Sequence, residues 1–132
     1  MLNLDTHILV FLLAGDLTPR EHALVAREEL AISDIVLWEL AKLIQLGRLS
    51  MNLDSAEFRR CLRGLTAIPI TLAIARRSTQ LDFSSDPADE IIAATSVVEN
   101  IPLLTRDRRI LKSRLVPLVP RTTKTRQGTF PA

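Results

Sequence analysis

Aromatic side chains are scarce: of 132 residues 4% are aromatic, with four Phe, one Trp and no Tyr. So few rings, scattered along the chain, argue against a platform for stacking nucleobases. Cysteine occurs once, as Cys61, which excludes an intrachain disulfide framework and a zinc cluster built on thiolates. Cys61 falls in the apolar register of Phe58, Leu62 and Leu65, the place of a small buried hydrophobe, and a reducing, cytoplasmic compartment is expected. The two histidines, His7 and His22, share no metal-ligand spacing with a second ligand. With four glycines and neither a Gly-rich phosphate loop nor a GxSxG elbow, P-loop and serine-hydrolase chemistry are set aside. No apolar run approaches a membrane span. The first residues carry no basic stretch and no small-residue cleavage site, so a signal peptide is not expected. Neither charge sign dominates: the net charge is +2 and the pI about 9.2, compatible with a nucleic-acid substrate without demonstrating one.

What is present is enough to build one domain. The chain is 47% hydrophobic and 24% charged, a balance that supplies a core. Met1 to Leu4 reads as a first strand and His7 to Ala14 as a buried helix stopped near Gly15. Thr18-Pro19-Arg20-Glu21 is a capping box that opens a helix to about Glu29. Leu30 to Ser33 is a second strand, and a helix apolar nearly all round runs from about Asp34 to Arg48. Asp54-Ser55-Ala56-Glu57 opens a further helix. Ala67 to Ile70 reads as a third strand, at an edge because Pro69 has no N–H to give a ladder. Thr71 caps a helix to about Leu81, and Asp86-Pro87 starts one that runs to about Asn100. Leu103 to Thr105 is a fourth strand, Arg108 to Lys112 a short helix, and Val116 to Val119 a last strand. Strands alternating with helices predict an α/β fold with a mainly parallel sheet of four or five strands between helical layers. Residues 1–119 are expected to form the domain and residues 120–132 a basic, mobile tail.

Four acids stand out because each follows or interrupts an apolar run: Asp5, Glu39, Asp89 and Asp107. Such carboxylates are costly to desolvate unless a positive partner meets them. If they converge they offer the oxygen ligands that Mg²⁺ prefers, and ligands of parallel sheets bind beyond the strands' carboxyl ends, where Asp5 and Asp107 fall. Each has a plainer explanation. Asp5 and Asp107 could cap the helices that follow them, Asp89 could answer a helix dipole, and Glu39 could pair with Lys42 on a surface. Asp86 reads as a helix cap. Thr6, Ser33 and Thr105 are short hydroxyl residues at strand ends, suited to orienting carboxylates or satisfying backbone groups. The surplus apolar surface of the Asp34–Arg48 helix suggests a subunit interface.

Taken together, these segments resemble the PIN-domain ribonucleases, and most closely the VapC-type toxins of toxin–antitoxin pairs. LNLDTHILVFLL resembles the family's opening strand, ISDIVLWELAKLIQLGRL its serine–helix segment, and DPADEIIAATSVVENIPLLTRDRRIL its third and fourth acids. The resemblance spans about residues 1–119. Glu90 departs from it, because a basic residue often follows the third acid.

The resemblance implies a PIN-like α/β/α fold and a homodimer. It also implies an endoribonuclease dependent on one or two Mg²⁺ or Mn²⁺ ions, and a cognate antitoxin through which DNA is met only indirectly; no membrane partner is expected. Asp5, Glu39 and Asp89 would hold the first ion; Asp107 would hold a second or position water. Arg106, Arg108, Arg109, Arg121, Lys124 and Arg126 are candidates for gripping the RNA backbone. Two other readings remain open: a non-catalytic interaction module of the same fold, and a metal-dependent nuclease acting on DNA. A haloacid-dehalogenase type of phosphatase fails because it needs a second Asp where His7 stands.

Overall fold

A computed structural model describes residues 1–120. The tail candidates Arg121, Lys124 and Arg126 lie outside the described residues. Four strands, β1 (Leu2–Leu4), β2 (Leu30–Ser33), β3 (Leu65–Ile68) and β4 (Leu103–Leu104), form one sheet in the order β3-β2-β1-β4. All neighbours pair in parallel. Seven helices accompany them: α1 (Thr6–Ala14), α2 (Pro19–Arg27), α3 (Ile35–Gln45), α4 (Ala56–Arg63), α5 (Leu72–Arg77), α6 (Pro87–Glu99) and α7 (Arg108–Leu111). Successive residues of β1 point to opposite faces, yet Leu2, Asn3 and Leu4 are all buried, so helices cover both faces of the sheet. The main core joins Leu4, Ile8 and Leu9 to Ile32, Leu40 and Ile92, each removed from water and each contributing about 1.5–3 kcal/mol. A smaller cluster, Ala31, Ile68, Ile74 and Ala94, fills the space between β2, β3, α5 and α6.

Local chemistry sets the helix ends. Asp5 caps α1 by accepting from Thr6 N at 2.8 Å, and Gly15, at φ 77°, closes it in the left-handed region that glycine enters without strain. Thr18 and Glu21 form the expected capping box on α2. Ser55, not Asp54, caps α4 through Phe58 N at 3.1 Å. β3 begins two residues earlier than its sequence suggests, directly after Gly64, leaving Pro69 outside the ladder; it is an edge strand as expected. The stretch from Val116 to Val119 contributes a single bridge, Leu103 to Leu118, instead of a fifth strand. Pro117 within it has no N–H to extend a ladder. α3 ends earlier than expected and is not buried all round. Val36 and Leu40 face the core, whereas Trp38 and Leu46 face water.

One buried polar residue ties the layers together. Asn3, fully inaccessible in β1, donates from Nδ2 to Ile92 O at 3.1 Å and to Ser96 Oγ at 2.9 Å. This pins α6, which carries Asp89, to the strand that leads into Asp5. Asn3→Ala removes both bonds and leaves buried acceptors unmet, so it is expected to cost about 2 kcal/mol, read as a lower urea midpoint with an unchanged slope.

Candidate metal-dependent active site

Parallel pairing puts the carboxyl ends of all four strands on one edge, where the chain turns into α1, α3 and the segment before α7. A cavity of about 290 Å³ opens there, lined by Asp5, Glu39, Asp86, Asp89 and Asp107 together with His7, Ile8, Phe11 and Arg106. The four acids singled out in the sequence therefore line one cavity, although Asp5 and Asp107 stand about a hundred residues apart in the chain, and Asp86 lines it too. Asp86 holds the N-cap position of α6 but makes no capping hydrogen bond.

Hydroxyls connect the carboxylates. The Thr6 hydroxyl donates to Glu39 Oε1 while its backbone N–H donates to Asp5 Oδ1. The Thr105 hydroxyl donates to Asp5 Oδ2 at 2.6 Å and accepts from Asp107 N at 3.0 Å. Asp107 accepts from Arg109 N and Ile110 N, so it is also the cap of α7. Glu39, Thr6, Asp5, Thr105 and Asp107 thus form one continuous chain. Asp89 is held separately by the Ser85 hydroxyl at 2.9 Å. The alternative Glu39–Lys42 pair does not form; Lys42 donates to Gln45 instead. Ser33 is buried, but its hydroxyl accepts from Ile35 N at the start of α3 and serves the backbone, not the acids. Ser85 and Asn3 were not apparent as site residues from sequence. Ser85 stands in a polar run that reads as loop, and Asn3 shows only as a polar break in an apolar strand.

Burial and mutual repulsion act on the acids together. Asp5 is raised from the ordinary carboxylate pKa, first by burial and further by Glu39's charge, against the opposing hydrogen bonds of Thr105 and Thr6. Glu39 is raised by burial, with Asp89 and Asp86 adding to it and Thr6 opposing. Burial also raises Asp89, with Asp5, Asp107 and Asp86 adding and Ser85 opposing. The cavity's basic lining does not offset this charge. Arg106 gives Nε and Nη2 to Glu21 at 2.9 and 2.7 Å and lies 4.1 Å over the Phe11 ring. Engaged in this way, Arg106 is a wall of the cavity, not a free grip for RNA. Arg108 and Arg109 are exposed, and Arg109 reaches Ser84 O at 3.4 Å.

The Glu21–Arg106 pair bridges α2 to the segment carrying Asp107, and Arg106 holds Glu21 below the ordinary carboxylate pKa. A carboxyl lowered by folding adds stability above its unfolded pKa and loses it as pH falls through the folded value. Arg106→Ala is expected to cost about 1–2 kcal/mol at pH 7, toward the lower figure because the guanidinium is partly hydrated. The difference from wild type should shrink below about pH 4, as read by thermal melts across pH.

The donor set fits a hard divalent cation: all oxygen, acidic, uncompensated, and at the functional edge of a parallel sheet. Among the described residues, no three His, Cys, Asp or Glu side chains are already grouped as a coordination shell. Asp5, Glu39, Asp89 and Asp107 instead accept from nearby hydroxyl or backbone N–H donors. No helix among the described residues is long and apolar enough to cross a membrane.

A PIN-domain family model matches residues 3–114. The chain is 32% identical over 97 residues to Ribonuclease VapC22 of Mycobacterium tuberculosis, covering 71% of this chain and 72% of that protein. A toxin-antitoxin complex from Klebsiella pneumoniae superposes with TM-score 0.67 at 25% identity, covering 91% of this chain and 97% of its counterpart. VapBC2 from Rickettsia felis, solved on a DNA fragment from its promoter, gives TM-score 0.69 at 20% identity, with 90% and 98% covered; at that identity the likeness concerns the fold. With this match across most of its length, the chain belongs to the PIN-domain family and resembles its VapC-type members.

Proposed function

We propose that this protein is a Mg²⁺- or Mn²⁺-dependent endoribonuclease acting as the toxin of a toxin–antitoxin pair. The observation that carries the reading is the convergence of Asp5, Glu39, Asp89 and Asp107 on one cavity. A relative that is named a ribonuclease, and a fold neighbour that is a toxin-antitoxin complex, support the RNA substrate and an antitoxin partner. A homodimer and a cytoplasmic location complete the proposal.

In this reading Asp5, Glu39 and Asp89 would hold the first ion and Asp107 would take a second or orient water. A divalent ion supplies charge neutralisation at the scissile phosphate and eases attack by water. The protein's own groups do the positioning. Thr6 fixes Asp5 relative to Glu39, Thr105 fixes Asp5 relative to Asp107, and Ser85 steadies Asp89. Water adds to phosphorus, the P–O3′ bond breaks, and the 3′ oxygen leaves with a proton, giving 3′-hydroxyl and 5′-phosphate ends.

Incubating purified protein with total RNA, with and without Mg²⁺, and mapping the cut ends tests this. Cleavage that needs the ion and leaves 5′-phosphates is expected. Undiminished cleavage in EDTA, or no cleavage with any divalent ion, would overturn it.

A further inference from the structure

The first turn of α6 carries two acids side by side, and they are used differently. Asp89 is the third residue of the helix, the place from which a capping-box carboxylate reaches back to the N-cap N–H. Here Asp89 lines the acidic cavity and accepts from the Ser85 hydroxyl at 2.9 Å. The backward reach falls to Glu90, which does not line that cavity and accepts from the Ser85 backbone N–H at 3.2 Å. Helix geometry allows this. Glu90 N donates to Asp86 O at 3.1 Å, so Glu90 stands one turn inside α6, and helical side chains lean toward the N-terminus. Asp86, at the N-cap, makes no capping bond of its own.

Both donors of Ser85 are therefore taken by adjacent carboxylates, its N–H by Glu90 and its hydroxyl by Asp89. Residues 84–86 lie in no helix or strand, so no regular ladder fixes where the Ser85 hydroxyl points. The segment is anchored earlier, where Asp82 accepts from Ser113 Oγ at 2.6 Å and from Arg114 N at 2.7 Å. Arg109 reaches Ser84 O only at 3.4 Å. The bond from Ser85 N to Glu90 is what sets the Ser85 backbone against α6 itself. We infer that Glu90 is a positioning residue: by holding the Ser85 N–H it aims the Ser85 hydroxyl at Asp89, and so sets that carboxylate for a divalent cation. The departure from the family's pattern at Glu90 thus has a structural use, because a basic side chain offers the Ser85 N–H no acceptor. The inference rests on the metal-dependent reading above and adds to it a residue outside the ligand set.

Calorimetric titration of Mn²⁺ into full-length protein tests it. Glu90→Ala should weaken Mn²⁺ binding about tenfold, the loss common when a partner orienting a metal-binding carboxylate is removed. The Mn²⁺ concentration for half-maximal RNA cleavage should rise by a like factor, with KM for RNA unchanged. Glu90→Gln keeps an oxygen acceptor without the charge and should bind Mn²⁺ much as wild type does. Ser85→Ala should match Glu90→Ala, and the double variant should be no weaker than either, since both changes cut the same link. Thermal melts in EDTA check that each variant is folded. Three results overturn the inference. One is Mn²⁺ binding unchanged in Glu90→Ala. Another is Glu90→Gln as weak as Glu90→Ala, which assigns the effect to charge. The third is losses that add in full in the double variant, which separates Glu90 from Ser85. Wild-type protein that binds no Mn²⁺ would instead sink the metal-site reading as a whole, so the two failures are told apart.

Discussion

Asp5→Asn is expected to lower RNA cleavage by about a thousandfold or more, the order lost when a group organising transition-state charge is removed, while leaving the folded protein more stable at pH 7. The two effects have one cause. Asp5 is 4% exposed and its pKa is raised chiefly by burial. A carboxyl whose pKa rises on folding contributes stability below its unfolded value and loses it as pH climbs through the folded value. At pH 7 the native state therefore bears the cost of a buried, repelled charge that asparagine does not carry. The substitution also keeps the local bonds. The amide oxygen still accepts from Thr6 N, and the Thr105 hydroxyl, donor and acceptor alike, turns to accept from the new NH₂. The melting temperature in EDTA should exceed wild type by a few degrees at pH 7, with the gap closing toward about pH 4. A variant that cleaves normally, or one less stable than wild type at pH 7, contradicts this.

The second large effect concerns the ion. A ligand that binds the folded state stabilises it by about 2.7 kcal/mol at a hundred times its dissociation constant. For a domain of this size that corresponds to a rise of about 10 °C in melting temperature. Mn²⁺ should produce such a rise in the wild-type protein, and most of it should vanish in Asp5→Asn and Asp89→Asn. Asp107→Asn should behave differently, because Asp107 also caps α7 through Arg109 N and Ile110 N. That variant should lose basal stability as well as part of the response. A rise of equal size in all three variants would place the ion elsewhere. A non-catalytic module whose acids serve only as caps predicts no rise at all.

Much of this site was legible in the chain because its physics is local. Asp5 follows an apolar strand, Glu39 interrupts an apolar helix, and Asp107 follows a Leu-Leu-Thr strand end; each is a charge that ends or breaks an apolar run. The alternation of strands and helices fixed the parallel sheet and hence the shared edge. What stayed hidden depends on partners distant in sequence. In sequence Arg106 reads as a free cation, whereas the fold engages it with Glu21, 85 residues away. Phe11 and Trp38 belong to different helices, and scarcity of aromatics obscured the fact that the fold sets them on one groove. α3 looked uniformly buried because its composition is apolar, whereas packing chose one face and left Trp38 and Leu46 outside. Asp5 and Asp107 are helix caps and cavity acids at once, so weighing one role against the other posed a choice the fold does not make.

The central claim is that remote carboxylates share one cavity, where burial and mutual repulsion raise Asp5, Glu39 and Asp89 above the ordinary carboxylate pKa until a divalent cation reconciles them. Calorimetric titration of Mn²⁺ into the full-length protein near pH 6, repeated in two buffers of different ionisation enthalpy, tests it directly. The account predicts binding accompanied by proton release, with less release at pH 8 and both signals lost in Asp89→Asn. Absence of binding, or binding that releases no proton and survives Asp89→Asn, would contradict it.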